Sequence, residues 1–410
     1  MSDFQTNLNK YAELAVKVGV NVQPGQILMI DAGVESLEYV RLVVKHAYAA
    51  GAKLVKVNLA DEAITRMRYD LAPDDSFEIA PKWTAAEREE LAENGGAMLA
   101  VISNNPDLLN GVDPNRISTL QKVSGEALSK YRQYVQSDKL AWSIVAVPSA
   151  AWAAKVFPHL PENEQIPAMW EAIFKAVRVD QPDPVAAWQQ HIATLNDKST
   201  YLNSKKYKAL HYTAPGTDLT IELPATHLWV AADSESERGT AFVANMPTEE
   251  VFTAALKTGV SGTVSSTKPL SYGGNIIDNF TLTFENGRIV DVKAEQGEET
   301  LKRLVEMDEG SHYIGEVALV PHKSPISESG ILYYNTLFDE NASNHLAIGS
   351  AYAFNIEGGK SMSREELAEA GINQSLAHVD FMIGSAEMNI DGITQDGTAE
   401  PVFRGGNWAF

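Results

Sequence analysis

Residues 26–61 read QILMIDAGVESLEYVRLVVKHAYAAGAKLVKVNLAD. QILMIDAG (Gln26–Gly33) is an apolar run of strand length that ends on glycine. ESLEYVRLVVKHAYAAG then sets Leu37, Val40 and Val44 on one face of a 3.6-residue repeat and stops at Gly51. AKLVKVNLAD returns as a second strand, and further strands are expected at Ala97–Ser103 and Leu140–Pro148, each followed by a helical stretch. This alternation predicts a doubly wound, mostly parallel α/β sheet. Such sheets often hold nucleotides, but DAGVES offers one glycine, and neither G-x-G-x-x-G nor G-x-x-x-x-G-K-[ST] occurs in the chain. A dinucleotide or NTP site is not expected.

A long helix is expected over DPVAAWQQHIATLNDKSTYLNSKKY, with Asp183 as N-cap and Pro184 in the first helical position. Past about residue 200 the rhythm changes to short β-like runs: DLTIELP, HLWVAA, NFTLTFENGRIVDVKAEQ and EVALVP. Asn286-Gly287 marks a hairpin turn among them. The expected organisation is an N-terminal α/β domain over residues 1–199 and a C-terminal α+β domain over residues 200–410.

A chain of 410 residues exceeds one ordinary core, so two domains accord with its length. Its 54 acidic and 33 basic side chains leave a formal charge of −21, which repels phosphate backbones and anionic membranes. That field suits a metal ion or the ammonium group of a peptide. Cysteine is absent, which removes disulfides, thiolate nucleophiles and Cys-based metal sites. The N-terminus lacks the pattern of a secretory leader and no run of eighteen apolar residues occurs, so the expected location is the cytoplasm.

Four pieces of the second half carry candidate chemistry. In NMPTEEVF, Thr248 is read as the cap of a short helix carrying Glu249 and Glu250; such acids also simply complement a helix dipole. In HYIGEVALV, Glu316 stands at the entrance of an apolar strand, where glutamate is depleted, although a solvated edge is the alternative. LFDENASNHLAIGSAYAF is read as a polar loop with Glu340, running into a helix from about Asn344. There His345 and Tyr352, seven residues apart, would share a face. A core tyrosine and a surface histidine are the plain alternative. In LAHVDFMIG, His378 and Asp380 interrupt an apolar run at i and i+2, the same side of a strand. A buried carboxylate needs a partner, either the histidine itself or a cation.

Glu250, Glu316, Glu340 and Asp380 sum to four negative charges, and His345 and His378 add two neutral nitrogens. Two divalent cations would balance that charge. Six such ligands, one carboxylate bridging, suit a metal pair about 3.5–4 Å apart.

With these motifs the sequence resembles, over nearly its whole length, the aminopeptidase T / aminopeptidase S family of metallopeptidases. The resemblance implies two divalent ions per chain, zinc or cobalt, and removal of single residues from peptides with a free N-terminus. By position it carries metal binding onto Glu250, Glu316, Glu340, His345, His378 and Asp380, and the catalytic tyrosine onto Tyr352. It further implies a homodimer with an enclosed active site. The expected mechanism is amide hydrolysis by a metal-activated water, with Tyr352 donating to the oxyanion and Glu249 as base or ammonium partner. Two alternatives stand beside it: a dinuclear hydrolase of another amide, such as a dipeptide, and a non-catalytic two-lobed protein that closes on a small ligand.

Overall fold

A computed structural model describes residues 3–103, 105–273 and 275–410. Statements below concern those residues. They form two compact units: residues 1–192 with 233–247, and residues 193–232 with 248–410.

The first unit is built on four parallel strands, β1 (Ile27–Gly33), β2 (Leu54–Ala60), β3 (Ala97–Ile102) and β4 (Ala141–Ala146), in the order β2-β1-β3-β4. The chain starts in the middle, steps out to one edge and crosses back to build the other side, which is the doubly wound pattern. Leu28, Met29 and Ile30 of β1 are all buried, so both faces of the central strand are covered. Helix α1 (Leu37–Ala49) buries Tyr39, Val40, Val43 and Ala47; of the expected Leu37, Val40 and Val44, Val40 is buried and the other two are half-buried. Its face is rotated by about one residue because the large Tyr39 ring turns inward, where its hydroxyl donates to Tyr11 O at 3.4 Å.

Helix α2 (Pro184–Lys205) begins as its sequence predicts, with Asp183 Oδ1 accepting from the Ala186 N–H at 3.1 Å. A cap of this kind contributes about 1 kcal/mol. The second unit holds a nine-stranded sheet and a separate antiparallel sheet of four. In the larger one, strands Asn275–Glu285 and Arg288–Gln296 meet at Asn286 (φ 50°) and Gly287 (φ 83°), the left-handed pair that a two-residue hairpin needs. HLWVAA forms no strand. Its backbone pairing is limited to isolated bridges, His227 to Ile356 and Val230 to Phe252.

Candidate metal centre

The smaller sheet of the second unit comprises β5 (Val251–Ala254), β6 (Ile314–Leu319), β7 (His345–Gly349) and β8 (His378–Met382), all antiparallel in the order β8-β7-β6-β5. Paired residues of neighbouring strands point to the same face. One row across it reads Phe252, Ala318, His345, Met382; the next reads Ala254, Glu316, Ala347, Asp380; and Gly349 pairs with His378. Between Phe252 and Met382 this face sets ligand-type side chains beside alanine and glycine, which leaves room between them.

Two further carboxylates arrive from outside the ladder. Glu250 precedes β5, and Glu340 sits in the single turn Glu340–Ala342 that leads into β7. That turn is braced by Asp339, whose carboxylate accepts the Tyr333 and Asn335 N–H groups at 2.8 and 3.0 Å. Burial pushes the Asp339 carboxyl up to about 6, against the pull of those N–H donors.

The side chains converge. Possible ligand atoms lie within 4.8 Å of one another in three groups: Glu250, Glu316 and His345; Glu316, His378 and Asp380; Glu340, His345 and Asp380. His345 Nε2 is 2.9 Å from Glu250 Oε2 and 3.7 Å from Glu316 Oε1. His378 Nε2 is 3.7 Å from Glu316 Oε2 and 3.6 Å from Asp380 Oδ1. Each imidazole is oriented from behind by backbone oxygen. His345 Nδ1 lies 3.0 Å from Glu340 O and 3.1 Å from Ser343 O, and His378 Nδ1 lies 2.7 Å from Ser350 O. A carbonyl can only accept, so Nδ1 carries hydrogen and Nε2 of the neutral ring turns a lone pair toward carboxylates. Lone pair facing anion is repulsive unless a positive charge lies between them.

The electrostatics agree with that geometry. Glu250, Glu316, Glu340 and His345 are all buried. Burial pushes the Glu316 carboxyl up to about 7, with Asp380 and Glu250 adding to the effect and His345 opposing it. Burial, then Asp380 and Glu250, raise Glu340 well above the usual carboxylate range. Burial disfavours charge on His345, yet the facing Glu250 and Glu316 hold its pKa well above the ordinary imidazole value. His378 is raised in the same way, by Asp380 and Glu316 against burial. Asp380 Oδ1 is buried and accepts no hydrogen bond. An oxygen so placed, beside lone-pair nitrogens and three more carboxylates, fits divalent cations of the kind that nitrogen and oxygen ligands hold. Without them the cluster must take up protons instead.

All six residues singled out from the sequence thus meet in one cluster, and Tyr352 lies at its side, its ring centroid 4.8 Å from that of His378. The local routes differ from expectation. Thr248 caps no helix, since Glu249 and Glu250 run directly into β5. His345 opens a strand rather than a helix, because residues 345–349 pair on both sides with β6 and β8 and are wholly buried. Tyr352 reaches His378 not along a helical face but by a turn after β7, through the segment that precedes Ala353–Asn355.

Sequence reading overlooked Asn341 and Asp308. Asn341 Oδ1 accepts the Glu249 N–H, and its Nδ2 donates to Leu337 O and Glu340 Oε1. Asp308 accepts from the Ser311 N–H, the Ser375 hydroxyl and the Leu376 N–H, tying residues 308–311 to the segment leading into His378. Only the polar run NASN around Asn341 hinted at either.

Residues 4–408 match the family described as thermophilic metalloprotease (M29). The chain is 63% identical over 410 residues to aminopeptidase AmpS of Bacillus subtilis, covering 100% of both proteins. It is 53% identical over 410 residues to aminopeptidase 2 of Geobacillus stearothermophilus, covering 100% of this chain and 99% of that protein. It is 42% identical over 408 residues to aminopeptidase T of Thermus thermophilus, covering 100% of both. Among solved structures it is similar to wild-type AmpT from Thermus thermophilus, with a TM-score of 0.92 and 41% identity over 99% of this chain and 100% of that one.

Proposed function

The chain belongs to the thermophilic metalloprotease (M29) family and is a metallo-aminopeptidase, and on that premise we propose that it cleaves the first peptide bond of its substrates with two divalent cations, zinc or cobalt. Glu250, Glu316, Glu340, His345, His378 and Asp380 would hold them. One observation carries the reading: both imidazoles are fixed by backbone carbonyls so that Nε2 faces buried carboxylates, an arrangement that calls for cations between them. Family membership sets aside a non-catalytic two-lobed binder.

When bound, such ions supply a water of lowered pKa and polarise the scissile carbonyl. The chain's own groups do the rest. Burial, together with Glu316, Asp380, Glu340 and Glu250, raises the Tyr352 hydroxyl well above its ordinary value, so it stays protonated and able to donate to the oxyanion. His345 and His378 cannot swing, because Nδ1–H is committed to backbone oxygen. Glu249, buried beside Glu250, is the nearby acid suited to take a proton or to receive the substrate's ammonium group.

In this reading residues 200–410 form the catalytic domain, residues 1–199 an α/β domain, and the protein works as a homodimer in the cytoplasm. No helix among the described residues is long and apolar enough to cross a membrane. Metal analysis combined with assays on free and N-acetylated peptides, before and after chelation, tests the proposal. Two ions per chain and hydrolysis only of free N-termini are expected. Cleavage of blocked peptides, or of dipeptides alone, would favour a dinuclear hydrolase of another amide. A monodisperse monomer in light scattering would remove the dimer.

A further inference from the structure

Three aromatic rings pack together beside the carboxylate–imidazole cluster, which Tyr352 touches through His378, and the chemistry above uses only that one. Phe252 stands two residues after Glu250 on β5 and shares the sheet face of His345 through Ala318. Its ring centroid lies 6.1 Å from that of Tyr352 and 6.0 Å from that of Phe354, edge-to-face in both cases. Tyr352 and Phe354 stack at 4.9 Å, and Tyr352 in turn touches His378. The rings therefore run as one apolar wall from the Glu250 side of the cluster to the His378 side.

The wall is rigidly framed. Phe252 exchanges backbone hydrogen bonds of 3.0 Å with Val230 in both directions, and the Leu228 N–H donates to Asn355 O at 2.7 Å. Asn355 Nδ2 reaches Leu228 O at 3.3 Å and Phe252 O at 3.4 Å. Stacking by Phe354 alone would hold the Tyr352 ring. Phe252 adds a second, only half-buried ring on the sheet face that carries His345. The ring faces themselves favour apolar matter.

We propose that Phe252, with Phe354 and the ring of Tyr352, forms the subsite for the side chain of the substrate's first residue, and that this residue is bulky and apolar. The inference rests on the aminopeptidase reading and deepens it. The first side chain branches one bond from the scissile carbonyl, so a carbonyl held at the cluster brings that side chain to an adjoining wall.

The test uses full-length protein loaded with cobalt and a series of Phe, Leu, Ala and Arg p-nitroanilides, which vary the first residue with one leaving group. The wild type should prefer Phe and Leu over Ala by about tenfold or more in kcat/KM. Phe252→Ala should erase most of that preference, chiefly through KM, with the Phe and Leu values falling much further than the Ala value. Phe252→Leu keeps apolar volume and should retain the preference for Leu while losing part of that for Phe. An unchanged Phe-to-Ala ratio in both variants overturns the subsite. So does a uniform fall in kcat on every substrate, which would make Phe252 only a brace for Tyr352, and so does a loss confined to Arg. Wild-type inactivity on every free-amine substrate would instead sink the aminopeptidase reading itself, and the subsite with it.

Discussion

Asn341 Oδ1 accepts the backbone N–H of Glu249 at 2.6 Å, across 92 positions of sequence. The same amide donates through Nδ2 to Leu337 O at 3.0 Å and to Glu340 Oε1 at 3.3 Å. One fully buried side chain thus holds the segment that carries Glu250 and the carboxylate of Glu340 in fixed relation.

Removing that tie should loosen the cluster before it unfolds the protein. Asn341→Ala is expected to weaken cation affinity by about 10–100-fold. Asn341→Asp, which keeps the acceptor for Glu249 but loses the donor to Glu340, should also weaken it. Titration calorimetry with cobalt reads both. Wild-type isotherms in the two variants would refute the coupling.

Tyr352→Phe keeps the ring against His378 and Phe354 but deletes the hydroxyl. If that hydroxyl donates to the developing oxyanion, kcat should fall by about 10²–10³ with metal content unchanged. Steady-state kinetics beside elemental analysis decides it, and an intact kcat takes Tyr352 out of the mechanism.

Cation removal should act on stability as well as on rate. Four carboxylates packed together repel one another when no cation balances them. Chelation is expected to abolish hydrolysis and lower Tm, and zinc or cobalt should restore both. A ligand at a hundred times its Kd adds about 2.7 kcal/mol. A Tm indifferent to chelator and metal would mean that the cluster binds neither.

Asp308 gives a pH prediction of definite sign. Burial pushes its carboxyl up, but donors from Leu376, Ser375 and Ser311 outweigh that and hold it below the usual value. A lowered folded-state pKa contributes stability that is present above the unfolded value, about 3.9, and is lost as pH falls through the folded one. Asp308→Asn should therefore lower stability by about 1–3 kcal/mol at pH 7. The gap to wild type should narrow as pH falls below the unfolded value, about 3.9, toward the lowered folded one. Urea unfolding at pH 7 and pH 3 measures it, and an equal gap at both would contradict the ionic latch.

The parts of the site legible in sequence were those encoded locally. His378 and Asp380 broke an apolar run at a spacing of two, and a strand is where they stand. The βαβ rhythm of Gln26–Asp61 likewise announced its parallel sheet, although the buried face of α1 followed the size of Tyr39 rather than the spacing of Leu37, Val40 and Val44. His345 was misread because HLAIG is buried along its whole length, so no alternation separates a short core strand from a helix. Glu249-Glu250 imitated a helix start, although the apolar residues after them pair with β6. The Asn341–Glu249 bond and the row of Glu316, Ala347 and Asp380 depend on long-range register, which no local pattern records.

That register has a further consequence. Side chains on a strand change sides at every residue, so a slip of one position in β8 against β7 would carry His378 and Asp380 to the opposite face together. A slip of one position therefore leaves neither side chain in the cluster. Turnover then serves as a gauge of correct folding: a preparation with one tenth of its molecules mispaired should lose about that share of its rate and leave the remaining enzyme kinetically unaltered.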